Sequence, residues 1–146
     1  MEESINISAL MEQALLLEPV DVCSYSPLAL AYLGDAVYEV LIRTRVMNRG
    51  SMQVNKMHKK SASLVKAETQ ARMILALMEE LTEEETAVYK RGRNAHSVSS
   101  AKNASIKDYR MATGFEALVG YLYLTKQYER LLTLVHDGLE KIGEFS

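Results

Sequence analysis

The sequence predicts an all-α protein, a bundle of helices packed around one hydrophobic core. Apolar residues recur every three or four positions along most of the chain, and no segment shows the alternation of a convincing strand. Only seven glycines and two prolines occur among the 146 residues, too few to favour an all-β sandwich or a collagen-like chain. A chain of this length can bury one core without disulfides, so we expect a single domain over residues 1–146.

The first two helices are predicted from an apolar stripe and from capping residues. Residues 5–17 form a helix whose apolar side carries Ile7, Leu10, Met11, Ala14 and Leu15. Ser26 can cap a second helix and Pro27 suits its first turn, while Asn48 and Gly50 mark its end. This second helix is apolar on almost every side, so we expect it to be central and buried.

The middle of the chain predicts two helical stretches with a kink between them. Ser51 is a candidate cap for the first stretch. Its apolar stripe consists of Val54, Met57, Ser61, Leu64 and Val65. After the kink the stripe continues through Ala71, Ile74, Leu75 and Met78.

The remaining helices also have local start and stop signals. Thr82 and Glu85 have the spacing of a capping box, and Ser105 with Asp108 begins another helix. Residues 91–97 interrupt the helical periodicity and predict a loop. A last helix over residues 127–142, ended by Gly143, has four residues expected in the core: Leu131, Leu134, Val135 and Leu139.

Composition and motifs exclude several classes of protein. The chain is 48% hydrophobic and 25% charged, which is typical of a folded soluble protein. Its single cysteine, Cys23, excludes an internal disulfide framework and a Cys-rich zinc site. The start of the chain is acidic, unlike a signal or transit peptide, and no run of about 20 apolar residues occurs, so we expect a cytoplasmic protein. There is no phosphate-binding glycine loop and no nucleophile elbow, and His58, His96 and His136 lack metal-ligand spacing.

Charge is segregated along the chain, although the net charge is only -2. Residues 41–75 contain eight basic residues and one acidic residue, and residues 89–110 contain six and one. Residues 1–40 contain seven acidic residues and no basic ones. The pattern predicts a localised positive surface, but lysines and arginines that simply solvate helix faces would produce the same pattern.

Two acidic residues occur in strongly apolar helical segments. Asp35 lies in LGDAV and Glu116 lies in GFEALVG, and both have small neighbours that let another backbone or a ligand approach closely. A buried carboxylate is costly unless it is paired or binds a metal. Two carboxylates from distant helices can jointly hold Mg²⁺, which prefers oxygen ligands and keeps several waters. The alternative is that each acid faces solvent or pairs with an arginine.

Three segments around these acids resemble the ribonuclease III family. LAYLGDAVYEVLIRTRV resembles the signature helix of its endonuclease domain, NKMHKKSASLVKAETQA resembles the next helix, and ATGFEALVGYLYL resembles the second acidic helix. The order is the same, and the resemblance covers about residues 26–125. It implies a ribonuclease III endonuclease-domain-like helical bundle in which Asp35 and Glu116 are the catalytic acids. Leu28, Ala31 and Thr113 stand where the larger family carries further acids; Thr113 is a weaker candidate for contacting a metal-bound water.

The length, together with YKRGRNAHS and YRMATGFEAL, resembles the Mini-ribonuclease III group of that family. Members of this group are stand-alone nuclease domains, and 146 residues leave no room for a double-stranded-RNA-binding domain. The resemblance implies Mg²⁺-dependent hydrolysis of double-stranded RNA, in maturation of the 23S ribosomal RNA precursor. It also implies a homodimer and suggests a large-subunit ribosomal protein as a partner.

A-form RNA is recognised mainly through phosphates and 2′-hydroxyls, for which lysine, arginine and asparagine are suited. The RNA-binding candidates are Lys90, Arg91, Arg93, Asn94, Lys102, Asn103 and Lys107, with Lys56, Lys59 and Lys60 as a second set. Two other functions stay open at this point. One is an inactive relative that binds structured RNA at the ribosome, and the other is an all-α protein-interaction domain.

Overall fold

Seven α-helices and no β-strand occur in the described part of the chain, which confirms the predicted all-α class. The computed structural model describes residues 6–50, 53–95 and 105–145. The helices are α1 (Ile7–Ala14), α2 (Pro27–Asn48), α3 (Val54–Val65), α4 (Ala67–Leu77), α5 (Glu83–Arg93), α6 (Ile106–Leu124) and α7 (Tyr128–Lys141). None of these helices is long and apolar enough to cross a membrane.

Helices α2 and α6 form the most extensive helix pair, and α4 and α5 also pack against α6. The backbones of α2 and α6 meet directly at two glycines. A Cβ on Gly34 would overlap the carbonyl oxygen of Glu116, and a Cβ on Gly120 would overlap that of Leu30. Only glycine permits this approach, which brings the turn that carries Asp35 against the turn that carries Glu116.

Tyr38 and Phe115 form the centre of the α2–α6 interface. Their rings meet edge to face with centroids 5.4 Å apart. The Tyr38 hydroxyl donates a hydrogen bond to the Leu64 carbonyl at 2.9 Å, so its polar end is satisfied although the residue is fully buried. This bond also attaches the end of α3 to the core.

Helix α2 is central but only one of its faces is buried, so the expectation of a wholly buried helix is wrong. Its buried residues are Leu30, Ala31, Gly34, Tyr38, Ile42 and Val46. On the opposite side Tyr32, Val40 and Met47 are 84%, 62% and 67% exposed. We call Tyr32, Val40 and Met47 the exposed apolar face of α2.

Helix α1 is shorter than the predicted span of residues 5–17, and none of its residues is buried. In its apolar stripe Ile7 and Leu10 are exposed. The helix is only two turns long and makes a few contacts, such as Met11 Sδ with the Tyr123 hydroxyl at 3.9 Å. An apolar stripe indicates a helix that needs a partner surface, and this one finds little of it within the chain.

The predicted capping signals that fall within the described residues are confirmed. The Ser26 hydroxyl accepts a hydrogen bond from the Ala29 amide at 3.1 Å, with Pro27 in the first turn of α2. Thr82 and Glu85 form the reciprocal capping box at the start of α5. After the C-terminal end of α7, Gly143 adopts a φ of 90°, a backbone conformation that favours glycine and ends the helix.

The predicted kink between α3 and α4 lies at Lys66, whose backbone is extended. Within the stripes on either side, Val54 and Leu75 are exposed instead of packed. The prediction that Val54 and Leu75 belong to the packed stripes is wrong, because the neighbouring helices cover a narrower strip of α3 and α4 than the periodicity suggests. The candidate cap Ser51 lies outside the described residues.

The predicted loop over residues 91–97 is wrong in its first part, because α5 continues to Arg93. Gly92 is not a turn residue. A Cβ at this position would lie 2.7 Å from Ala117 Cβ and 2.9 Å from Gly114 Cα, so Gly92 lets α5 pack closely on α6. Asn94 follows as the C-cap.

Candidate active site

The structure brings the two candidate acids together. Asp35 and Glu116 are 81 positions apart in the chain, but Gly34 packs on the backbone of Glu116. As a result Asp35 lies close enough to raise the pKa of the Glu116 carboxyl group. The pairing therefore depends on the glycine contact between α2 and α6.

The surroundings of the two acids differ. Glu116 is half-buried, whereas Asp35 is exposed at the edge of α2. The expectation that both acids lie in apolar surroundings is therefore wrong for Asp35. The buried face of α2 ends beside it, so Asp35 faces solvent while its neighbour Gly34 packs on α6. This gives the pair one side that is open to a ligand.

Electrostatics at the pair oppose two ionised carboxylates. The pKa of Glu116 is raised to about 8, chiefly by burial and also by the adjacent Asp35 carboxyl, while the Gln70 hydrogen bond lowers it. Glu39, one turn after Asp35 on α2, also raises the pKa of Glu116. A cation placed between such groups relieves their repulsion and favours their charged forms.

The donor set fits a hard divalent cation. Asp35 and Glu116 offer carboxylate oxygens, the ligand type that Mg²⁺ prefers, and one or two such groups suffice when waters complete the coordination. Asp35 is exposed, so the pair is accessible from solvent. The residues present therefore fit Mg²⁺ better than a soft metal that requires sulfur or imidazole.

Two residues near the pair were not identified from the sequence. Gln70, on α4, donates from Nε2 to Glu116 Oε2 at 3.0 Å. Glu39 pairs with Arg43 at 3.0 Å, one turn further along α2. A glutamine in a helix and an acid spaced four residues from an arginine are common surface features, so neither gives a local signal for an active site.

Three positions differ from the acids of the larger ribonuclease III family. Thr113 lies one turn before Glu116, and its hydroxyl donates to the Tyr109 carbonyl at 3.0 Å. Its single proton is therefore committed to the backbone. At the start of α2, Leu28 is exposed and Ala31 is buried. Because neither side chain has a carboxyl group, these two positions add no ligand to the Asp35–Glu116 pair.

Part of the first basic set lies beside the helix that carries Glu116. Lys90 and Arg91 are exposed in the last turn of α5, which packs on α6 through Gly92. Arg93 lies 5.6 Å above the Tyr89 ring, and its Nε donates to Asn94 Oδ1 at 3.1 Å. Lys102 and Asn103 lie outside the described residues.

Several residues of the first basic set line a groove of about 450 Å³. Arg93, Asn94 and Lys107 line it together with Arg110, which was not selected from the sequence. The second basic set lies on α3, where Lys56 and Lys59 are exposed and Lys60 forms an ion pair with Glu144 at 2.9 Å. The structure thus separates the two predicted basic sets onto different helices.

The histidines and the cysteine do not join the carboxylate pair. His58 and Cys23 are exposed, and His96 lies outside the described residues. His136 Nδ1 contacts Asp137 Oδ1 at 3.1 Å on the surface of α7.

Comparison with known proteins identifies related sequences. Residues 28–127 match the family model described as Ribonuclease III domain. A Mini-ribonuclease 3 from Clostridium tetani is 54% identical over 112 residues, which cover 76% of this chain and 74% of that protein. A Mini-ribonuclease 3 from Thermoanaerobacter is 41% identical over 144 residues, which cover 99% of this chain and all (100%) of that protein.

A solved structure is also similar. The crystal structure of a protein from Fusobacterium nucleatum superimposes with a TM-score of 0.75 at 28% sequence identity. The match covers 84% of this chain and 98% of that one. The matched family region contains both Asp35 and Glu116.

Proposed function

Because the chain belongs to the Mini-ribonuclease 3 group of the ribonuclease III family, it is a double-strand-specific endoribonuclease, and we propose that Mg²⁺ held by Asp35 and Glu116 supports the reaction. The observation that carries this proposal is the close backbone approach of α2 and α6 at Gly34 and Glu116, which brings Asp35 near enough to raise the pKa of Glu116. When bound, Mg²⁺ supplies a Lewis acid that activates water and neutralises charge on the phosphate. Asp35 and Glu116 orient the reaction by fixing the cation, so the chain needs no covalent nucleophile.

The test is cleavage of a long RNA duplex by wild type and by Asp35→Asn, with and without Mg²⁺. Asp35→Asn keeps the side-chain volume and removes the charge, and the exposure of Asp35 means that the fold should tolerate the change. We expect duplex binding without cleavage. Glu129→Gln, an exposed acid in the first turn of α7, is the matched control and should cleave normally.

Cleavage by Asp35→Asn at the wild-type rate would show that the proposed site is wrong. Binding of duplex by the wild type without any cleavage would instead support the inactive RNA-binding alternative. Cleavage by the wild type in the presence of a chelator would show that the activity does not depend on Mg²⁺.

The RNA surface that we propose lies along the end of α5 and the start of α6. Lys90, Arg91, Arg93, Asn94 and Lys107 support it, because α5 packs on α6 one turn before Glu116. Phosphate contacts from these side chains position a duplex without reading its sequence. Lys102 and Asn103 extend the same segment of the sequence, whereas Lys56, Lys59 and Lys60 form the alternative surface.

We also propose that the protein acts as a homodimer in which each subunit cuts one strand. The exposed apolar face of α2 supports this, since monomeric proteins seldom leave such faces uncovered. Light scattering should give the mass of a dimer for the wild type and of a monomer for Tyr32→Glu. Leu132→Glu, at an exposed apolar position of α7, should remain a dimer. A fully active wild-type monomer would exclude this arrangement.

The substrate that we propose is the double-stranded stalk of the 23S ribosomal RNA precursor, with a large-subunit ribosomal protein as a partner that remodels it. The family resemblance supports this proposal. The stalk and an unrelated duplex of equal length should be compared as substrates, each with and without large-subunit proteins. Equal cleavage of the two in every condition would argue against this assignment.

A further inference from the structure

Gln70 is a buried polar residue at the junction between three helices. It lies on α4 and is only 1% exposed. Its Nε2 donates to the Val65 carbonyl at 2.7 Å and to Glu116 Oε2 at 3.0 Å. One amide group therefore connects the end of α3 to a carboxylate of the candidate active site on α6.

The other end of the Gln70 amide has no partner in the part of the chain that the structure describes. Among the described residues, Oε1 of Gln70 is a buried side-chain oxygen without a hydrogen bond. Turning the amide over would not help, because it would place Oε1 against the Val65 carbonyl, which accepts hydrogen bonds and cannot donate them. The Val65 carbonyl thus dictates the orientation and leaves Oε1 unpaired within the described part of the chain.

Packing alone does not explain a glutamine at this position. A leucine has similar volume and would leave no unpaired oxygen, and an unpaired buried polar group calls for a specific explanation. Such local conflicts occur where a residue serves function more than stability. The feature that a leucine could not provide is the pair of N–H donors, one of which contacts Glu116.

We propose that Gln70 is a positioning residue that holds the Glu116 carboxylate toward Asp35 for binding of a divalent cation. The inference rests on the proposed function, in which Asp35 and Glu116 hold Mg²⁺. By donating to Oε2, Gln70 restricts rotation of the Glu116 side chain and orients its carboxylate. Residues that hydrogen-bond metal ligands in this way typically change metal affinity or activity by 10–100-fold when they are removed.

Thr69 provides a matched control from the next position in the chain. It is also buried on α4, and its hydroxyl donates to the Ser63 carbonyl at 2.6 Å near the end of α3. Thr69 and Gln70 therefore both attach α4 to α3. The single hydroxyl proton of Thr69 is used on Ser63, so Thr69 cannot also donate to Glu116.

The experiment measures Mn²⁺ binding to RNA-free protein by electron paramagnetic resonance, for wild type, Gln70→Leu and Thr69→Val. We expect Gln70→Leu to weaken Mn²⁺ affinity at least about tenfold and Thr69→Val to leave it unchanged. Thermal unfolding in a chelator reports the structural contribution of each residue separately. Duplex-RNA affinity in a chelator should be the same for all three proteins, since Gln70 acts on the cation site.

A second variant, Gln70→Met, removes the same donors with an unbranched side chain of equal length. Unchanged Mn²⁺ affinity in both Gln70 variants would overturn the proposal, as would equal weakening in Thr69→Val. Failure of both Gln70 variants to fold, with Thr69→Val folded, would also overturn it by assigning Gln70 a purely structural role. Failure of the proposed function itself looks different, because wild type would then bind no Mn²⁺ or Asp35→Asn would still cleave RNA.

Discussion

The close approach of α2 and α6 can be tested by adding one methyl group at Gly34. In Gly34→Ala the new Cβ would lie 2.8 Å from the Gly120 amide nitrogen and closer still to the Glu116 carbonyl oxygen. Ordinary van der Waals contact begins at 3.4 Å. The new Cβ and the Gly120 nitrogen must therefore move apart by about 0.6 Å to reach that distance. The neighbours are backbone atoms, and only a shift of one helix against the other provides that space.

The expected cost follows from two opposing effects. Overpacking typically costs about 1–3 kcal/mol, and the backbone neighbours place this case near the upper limit. Alanine favours a helix over glycine by about 1 kcal/mol, which offsets part of the loss. A net destabilisation of about 2 kcal/mol corresponds to a Tm lower by about 4–8 °C for a chain of this size.

Cleavage should fall more than stability does. A misplacement of about 1 Å can reduce catalysis about a hundredfold, so the shift at Gly34 should reduce the cleavage rate at least about tenfold. The assay combines circular-dichroism melting with cleavage of a labelled duplex well below the Tm, where the variant is folded.

Gly138→Ala is the matched control for the same substitution. Its Cβ would meet Met73 Cε at 2.8 Å, the movable end of a flexible side chain between α7 and α4. We expect a smaller loss of stability and normal cleavage. Wild-type Tm and rate in Gly34→Ala, or an equal loss of cleavage in Gly138→Ala, would refute the role assigned to the α2–α6 contact.

Other substitutions test separate features of the molecule. Arg130→Met leaves the buried Glu85 carboxylate, 4% exposed, without its ion pair and should cost about 3 kcal/mol near neutral pH in urea unfolding. Arg130 lowers the pKa of Glu85. The stabilisation from the ion pair is therefore present above the pKa of Glu85 in the unfolded chain and is lost as pH falls through its pKa in the folded protein. The difference in unfolding free energy between variant and wild type should shrink below about pH 4. Thr113→Asp adds a carboxylate one turn before Glu116 and should lower the Mg²⁺ concentration needed for half-maximal cleavage; no change would place residue 113 away from the cation. Alanine at both Arg91 and Lys107 should weaken binding to every duplex alike and reduce the salt slope by about one per phosphate contact, whereas unchanged isotherms would favour the α3 surface.

The sequence predicted features that depend on short-range interactions. Capping at Ser26, Thr82 and Ser105 depends on residues within three positions, and all three sites form as expected. Apolar segments with small neighbours singled out Asp35 and Glu116 and suggested a shared cation, and the family resemblance implied the same pair.

The errors concern positions where packing between distant helices decides the structure. Gly92 looked like a loop residue because glycine is common in turns, but here it allows α5 to lie close to α6. Leu75 fits the helical periodicity, but it is 65% exposed, and none of the described helices covers it. Gln70 was overlooked for the same reason, because its role depends on Glu116, which approaches only in the folded chain.

The glycine contact between α2 and α6 also has a consequence for biosynthesis. At about 5–20 residues per second, synthesis of the 81 positions from Asp35 to Glu116 takes roughly 4–16 s. During that interval the growing chain contains Asp35 but not yet Glu116. The ribosome is itself rich in double-stranded RNA, and the nascent chain beside it has no Asp35–Glu116 pair until α6 has been made and has docked on α2.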